Sequence, residues 1–177
     1  MLPLQRGISR EGESIVRKFT ALFLLSVFVF CGGCTLAKKP KAFVLSACDG
    51  TVSIGENSFG VHMDFAHEPQ KIIIKANDNA FDTVYTFRDK EVILSYDEIV
   101  TALKIDELPD TNTAAVIYHI MTDLKNNKVH CKKEGEQYTF FSTLNGTSYS
   151  GVCDENGNVL TFEVQAYDFY FKTNSEK

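Results

Sequence analysis

Residues 138 to 153, YTFFSTLNGTSYSGVC, carry the clearest signal for the architecture of the chain. Two runs rich in aromatic and β-branched residues flank Asn145-Gly146, a combination that strongly favours a tight β-hairpin turn. A second Asn-Gly dipeptide, within the turn at 154–158, leads into a further run that begins at Val159. The apolar alternation of that run changes phase near 165–167, which predicts a bulge or a break there. The strand-like runs and turns between residues 129 and 172 therefore predict successive antiparallel strands.

The two cysteines of this region are expected to remain without a disulfide between them. Cys131 and Cys153 lie on predicted strands that a third strand separates. Two strand spacings place their backbones about 9.6 Å apart, which exceeds the reach of a disulfide.

The part before residue 97 also reads as short strands separated by turns. A hairpin is predicted from 83–88 and 91–96 across Asp89-Lys90. Farther upstream, the apolar positions are odd-numbered over 43–47 and even-numbered over 52–54, so a bulge or turn is expected at Asp49-Gly50.

One helix is predicted, near residues 111–126. Asp110 or Thr111 can cap its start, and Asn126-Asn127 can end it. The apolar residues that recur at helical spacing are Ile117, Ile120, Met121 and Leu124. The fold class predicted from these elements is α+β: a curved, half-barrel-like antiparallel sheet of two meanders with one main covering helix.

The strands carry aromatic residues on both faces, and one helix covers only one face. The chain has 14 Phe and 7 Tyr and no Trp. Two interpretations are open: the curled sheet and its loops cover the second face, or a groove receives an apolar ligand. For the second interpretation the predicted ligand contacts are Ile117, Met121, Phe140 and Phe162.

A separate signal precedes this domain. Residues 19–30 carry no charge and follow Arg17-Lys18, and the run ends in Cys31-Gly-Gly-Cys34. Basic residues, a short apolar core and small residues are the parts of a secretory signal peptide. An uncleaved membrane anchor over 19–37 is the alternative. Cys31 and Cys34 do not fit a redox pair, which usually follows a strand, and they do not fit a zinc site, which needs a second pair of ligands. Lys38, Lys39 and Lys41 oppose the anchor, since positive charge favours the inner side of a membrane.

The predicted organisation is a leader and lipoprotein signal over 1–33, a lipidated Cys and basic tether over 34–41, one domain over 42–172 and a tail over 173–177. Val16 is an alternative translation start. The segment from Cys34 onward carries 14 Lys and Arg against 21 Asp and Glu, a formal charge of −7, which disfavours nucleic acid as a partner. The basic tether either binds anionic lipid or is a solvated linker.

No catalytic motif or metal-binding spacing is found in the sequence. His62 and His67 are five residues apart beside a strand and should point to opposite faces, so no metal site and no cofactor are predicted. The prediction is a non-enzymatic binding module. An enzyme with dispersed residues such as His62, Asp64 and Tyr96, or a structural envelope scaffold, are the alternatives.

The small-residue end at Gly32-Gly33-Cys34 resembles the lipobox of bacterial lipoproteins, with Cys31 where Leu is usual. Residues 42–172 resemble small lipoproteins of Gram-positive bacteria and, more distantly, the lipoprotein-carrier (LolA-like) half-barrels. The local match is FDTVYTFRDKEVILSY, residues 81–96, in which Lys90 stands where that turn has Gly. The resemblance implies a diacylglyceryl group on Cys34, a place on the outer face of the cell membrane, and a curved sheet that cradles an acyl chain. An envelope protein is the other partner considered.

Overall fold

The computed structural model of the protein describes residues 40, 42–76 and 81–174. Within these ranges the chain forms one α-helix, α1 (Thr113–Lys125), two 3₁₀ turns (Ile105–Glu107 and Gln165–Tyr167) and eleven strands. The strands are β1 (Cys48–Ile54), β2 (Asn57–Asp64), β3 (Gln70–Ile74), β4 (Thr83–Arg88), β5 (Glu91–Tyr96), β6 (Ile99–Lys104), β7 (His130–Glu134), β8 (Gln137–Leu144), β9 (Thr147–Asp154), β10 (Val159–Val164) and β11 (Phe169–Thr173).

All eleven strands belong to one open antiparallel sheet with the order β6-β5-β4-β3-β2-β1-β11-β10-β9-β8-β7. Strands β1 to β6 pair in succession, β7 to β11 pair in succession, and β1 joins the two sets by pairing with β11. The chain between β6 and β7 therefore runs from one edge of the sheet to the other. Helix α1 lies in this connection and approaches β3 on one side and β8 on the other.

Helix α1 confirms the prediction near 111–126, with one correction at its start. The capping residue is Asn112, whose side-chain oxygen accepts from the Ala115 N–H at 3.1 Å. Asn112 has extended backbone angles, as a capping residue requires, so neither Asp110 nor Thr111 is the cap. The helix ends before Asn126, and Asn127 adopts a left-handed conformation with φ of 53°.

The core lies between α1 and the face of the sheet that the helix covers. Seven of the helix residues are buried, and alternate strand residues meet them from the sheet. Phe162 stacks on Phe171 at 4.6 Å between ring centroids. Two core-facing positions, Gly50 and Gly151, have no side chain, and the rings of Phe171 and Phe140 fill the space above them.

The turns predicted at Asp89-Lys90 and Asn145-Gly146, and the break predicted near 165–167, are confirmed. The β8–β9 turn has positive φ at Asn145 (49°) and Gly146 (81°), the conformation of the tightest hairpin turns. The chain reverses between β4 and β5 at Asp89-Lys90. It also breaks at the 3₁₀ turn Gln165–Tyr167, where a bulge or break was expected. Cys131 on β7 and Cys153 on β9 both flank β8, as predicted.

Two features of the sheet differ from the sequence prediction. Strand β1 runs through Asp49-Gly50 without a bulge or turn, in continuous register with β2. The phase change arises because residues 43–47 are a separate segment, held by the bridge between Val44 and Asn158, and because Gly50 occupies a core-facing position. Strand β6 was not predicted at all. Its sequence IVTALK shows no polar alternation.

Candidate functional site

The four predicted ligand residues lie in the core. Ile117 and Met121 project from α1, Phe140 from β8 and Phe162 from β10, and all four are no more than 2% exposed. The structure therefore brings them into one packed cluster. A ligand reaches Ile117, Phe140 and Phe162 in this arrangement only by displacing side chains. The role of all four residues in binding stays a prediction.

The residues named for the enzyme alternative do not converge. His62 and Asp64 alternate with buried Val61 and Met63 on β2, so they lie on the face away from the helix. Tyr96 lies on β5, three strands from β2, in register with Thr83 and Ile99. Its side chain is on the face of the sheet opposite to that of His62 and Asp64. His62 pairs instead with Asp49, at 3.4 Å between Nδ1 and Oδ1. No group of three or more His, Cys, Asp or Glu with metal-binding geometry occurs among the described residues.

A different place in the fold has the shape of a binding site: a cleft of about 570 Å³ beside the first two turns of α1. We call it the helix-end cleft. It lies between α1, the β4–β5 turn, the segment that follows β6 and the β8–β9 turn. Its apolar lining residues are Ile105, Leu108, Ala115, Tyr118 and Leu144. The volume falls in the range typical of small-molecule sites.

Charged and polar groups surround these apolar walls. They are Asp89, Lys90, Lys104, Asp106, Asp110, His119 and Asn145. An apolar interior with a mixed charged rim suits an amphipathic ligand, because its chain leaves water while its polar group stays at the opening.

Hydrogen bonds fix the separate segments of the helix-end cleft. Asn145 Nδ2 donates to Asp110 Oδ1 at 2.7 Å, which ties the β8–β9 turn to the approach to α1. On the other side, the Ile105 N–H donates to the Lys90 carbonyl at 3.0 Å. The cleft is therefore bounded by segments that contact one another directly.

His119 is the half-buried titratable group of the helix-end cleft. Loss of water around the imidazole lowers its pKa below 6.5, while the carboxylates of Asp123 and Asp110 act in the opposite direction. The ring is therefore neutral at pH 7 and can both donate and accept a hydrogen bond. Because its folded-state pKa is depressed, the unfolded chain takes up this proton first on acidification, and His119 lowers the free energy of unfolding below about pH 6.5.

An NMR titration of the His119 imidazole checks this balance. The midpoint is expected below 6.5, and Asp123→Asn is expected to lower it further because the variant removes a neighbouring negative charge. The amide can still accept the hydrogen bond that the Tyr149 hydroxyl donates to Asp123 at 3.0 Å. Asp168→Asn is the control, because Asp168 is exposed and is not one of the two carboxylates that act on the His119 imidazole. A midpoint at or above 6.5, or no response to Asp123→Asn, contradicts this description of the site.

Met121 borders a second hollow, of about 840 Å³, which lies where β1 begins and β11 ends. Cys48 also lines it, and burial together with the Asp49 charge raises the pKa of that thiol to about 11. A protonated thiol is a poor nucleophile and a poor metal ligand. The Cys48 thiol therefore gives this hollow neither a nucleophile nor a metal ligand at neutral pH.

Sequence reasoning missed the helix-end cleft because its lining residues come from four separate segments. The signal that was present is the pair of turns Asp89-Lys90 and Asn145-Gly146, both predicted correctly. Nothing in the sequence placed these turns beside the start of α1, since that depends on the order of all eleven strands.

Among the residues that the structure describes, no helix combines the length and apolar character that crossing a membrane requires. No protein-family model matches the sequence, and no curated protein matches it.

Proposed function

We propose that the protein is a lipid-anchored lipoprotein on the outer face of the cell membrane, and that it binds an acyl-chain ligand without catalysis. The observation that carries the binding proposal is the helix-end cleft, with apolar walls and a charged rim. An envelope protein that presents an amphipathic group to the same cleft is the partner alternative.

The sequence before the domain supports the location. An uncharged run of signal-peptide length ends in Gly32-Gly33-Cys34, and three lysines follow within seven residues. A diacylglyceryl group on Cys34 supplies two acyl chains, which anchor stably where one chain is marginal. The lysines then lie next to the lipid surface, where each adds about 1 kcal/mol of attraction to anionic lipid.

The strand order supports a curved, half-barrel-like sheet of two meanders. The helix connects the two outermost strands, β6 and β7, and packs near β3 and β8. Sheets of many strands twist and curl rather than stay flat, and curvature toward α1 allows both halves to reach it. In this arrangement the helix occupies the trough, and the helix-end cleft is the part of the trough that it leaves open.

The energetics allow modest affinity. Burial of each methylene contributes about 0.8 kcal/mol, so eight carbons contribute roughly 6 kcal/mol before ordering costs, which permits micromolar binding at best. Lys90 and Lys104 at the rim offer ammonium groups to a carboxylate or phosphate head group. Ile117, Met121, Phe140 and Phe162 are proposed contacts for the end of a longer chain.

Photo-crosslinking of the full-length protein in its membrane tests the proposal. A photoreactive fatty acid is expected to label the segment 105–119, and unlabelled fatty acid should compete with the labelling to saturation. Ile105→Lys is expected to reduce labelling about tenfold, since it places a charge on an apolar wall. Ile93→Lys, at a half-buried position on the other face of β5, should label normally. Labelling that is absent, unsaturable or equal in both variants contradicts the proposal.

A further inference from the structure

The edge strand β6 has exposed apolar side chains and only one charged residue. Ile99 and Val100 are 64% and 66% exposed, and β6 carries one charge, Lys104, at its end. The opposite edge strand β7 reads His-Cys-Lys-Lys-Glu. Natural sheets protect an edge from pairing with charged residues, Lys above all. Strand β7 has that protection and most of β6 lacks it, so the edge of β6 is suited to pair with another strand.

The groups that β6 leaves open can be identified from its pairing with β5. The Ile105 N–H donates to the Lys90 carbonyl, so residue 105 points its backbone groups toward β5. In an antiparallel pair the N–H and C=O of alternate residues point to alternate sides. Thr101 and Leu103 therefore also point toward β5, and Val100 and Ala102 point outward. The N–H of Lys104 also points outward and donates to the Glu107 carboxylate at 2.9 Å, which closes that end.

We propose that β6 pairs antiparallel with β6 of a second copy of the chain, with Thr101 directly opposite Thr101 of the other copy. In this register Val100 lies opposite Ala102, which are the residues with open backbone groups, so they can exchange both hydrogen bonds. Ile99 lies opposite Leu103. The paired residues of the two copies also have their side chains on the same face, so the two sheets join into one continuous sheet.

Charge selects this register over its neighbours. With Thr101 on the two-fold axis, Glu98, the last residue of the turn before β6, comes next to Lys104 of the other copy at both ends of the contact. Moving the axis to Ala102 brings Glu98 past Lys104 to the 3₁₀ turn that carries Asp106 and Glu107, where like charges repel. Moving it to Val100 brings Glu98 next to Ala102, which has no charge. Opposite charges across strands stabilise pairing and like charges oppose it. The strand is therefore complementary to itself, which points to a second copy as the occupant.

Cysteine crosslinking of the full-length protein in membranes tests the contact. Residues opposite each other at a non-hydrogen-bonded position have Cα atoms about 4.5 Å apart, within disulfide range. Thr101→Cys is expected to form a disulfide dimer well above the wild-type background, with the linkage identified as 101 to 101 by mass spectrometry. Val100→Cys is the matched control, because the Cα atoms of residue 100 in the two copies lie about 8.5 Å apart and a disulfide cannot bridge them.

A charge exchange tests the register without a new covalent bond. Glu98→Lys and Lys104→Glu are each expected to weaken the dimer of full-length protein measured by light scattering in detergent, and the double variant is expected to recover it. A monomeric wild type, equal crosslinking of Thr101→Cys and Val100→Cys, or a crosslink to a different protein overturns the proposal. A double variant no better than the single variants also overturns it.

Discussion

Changing Cys34 to Ser is expected to abolish lipid attachment and leave the full precursor unprocessed, while Cys31→Ser matures normally. A thioether to diacylglycerol requires the sulfur of the modified cysteine, and a serine hydroxyl cannot replace it. Cys34 follows Gly32-Gly33, whereas Cys31 follows the bulky Phe30, and signal cleavage requires small residues before the cut. The two cysteines are therefore expected to behave differently although they lie three positions apart.

Incorporation of labelled palmitate and the mass of the mature protein are the measurements for this prediction. Sedimentation with membranes is a weaker test, because an unprocessed chain keeps the apolar segment 19–30 and binds membranes through it. Equal palmitate incorporation by the two variants contradicts lipidation at Cys34. Incorporation lost only in Cys31→Ser would place the modified residue at position 31.

The parts of the fold that were predictable carry local signals. Asn145-Gly146 fixes a hairpin within a few residues because positive φ is needed there and these residues tolerate it. Helix α1 was predicted because its apolar spacing is a property of one continuous segment. Its cap was misplaced by one or two residues, since Asp110, Thr111 and Asn112 are all good capping residues and only the backbone conformation distinguishes them.

The parts that were not predictable depend on distant contacts. Strand β6 lies at an edge with most of its side chains exposed, so no buried face imposes alternation on its sequence. The phase of β1 was misread because the ring of Phe171, more than a hundred residues away, fills the place of a side chain at Gly50. The helix-end cleft depends on the same kind of long-range contact, and the sequence alone pointed instead to aromatic residues that are buried in the core.

Gly151→Val is expected to cost about 3 kcal/mol of unfolding free energy or more, or to prevent folding. Gly151 lies on β9 in register with Phe140 on β8 and Phe162 on β10, both fully buried. A Cβ at this position would collide with the Phe140 ring and with the Thr161 carbonyl oxygen. A buried ring has little room to move, and the carbonyl belongs to a paired strand.

Gly60→Val on β2 is the matched control, because there the nearest neighbour of a new Cβ is the side chain of Lys75, at 3.2 Å. That side chain is about half exposed and can move aside, and valine favours strands, so a change within about 1 kcal/mol is expected. Urea unfolding of the full-length variants measures both effects.

A double variant keeps the comparison informative where Gly151→Val does not fold. Gly151→Ala and Phe140→Leu each destabilise, the first by collision and the second by leaving a cavity above the strand. Together they are expected to cost less than the sum of the two, since the smaller leucine leaves space for the new methyl group. Additive costs, or a Gly151→Ala variant as stable as the wild type, would show that the Phe140 ring does not lie over Gly151, and the packing of β8 on β9 described above would be wrong.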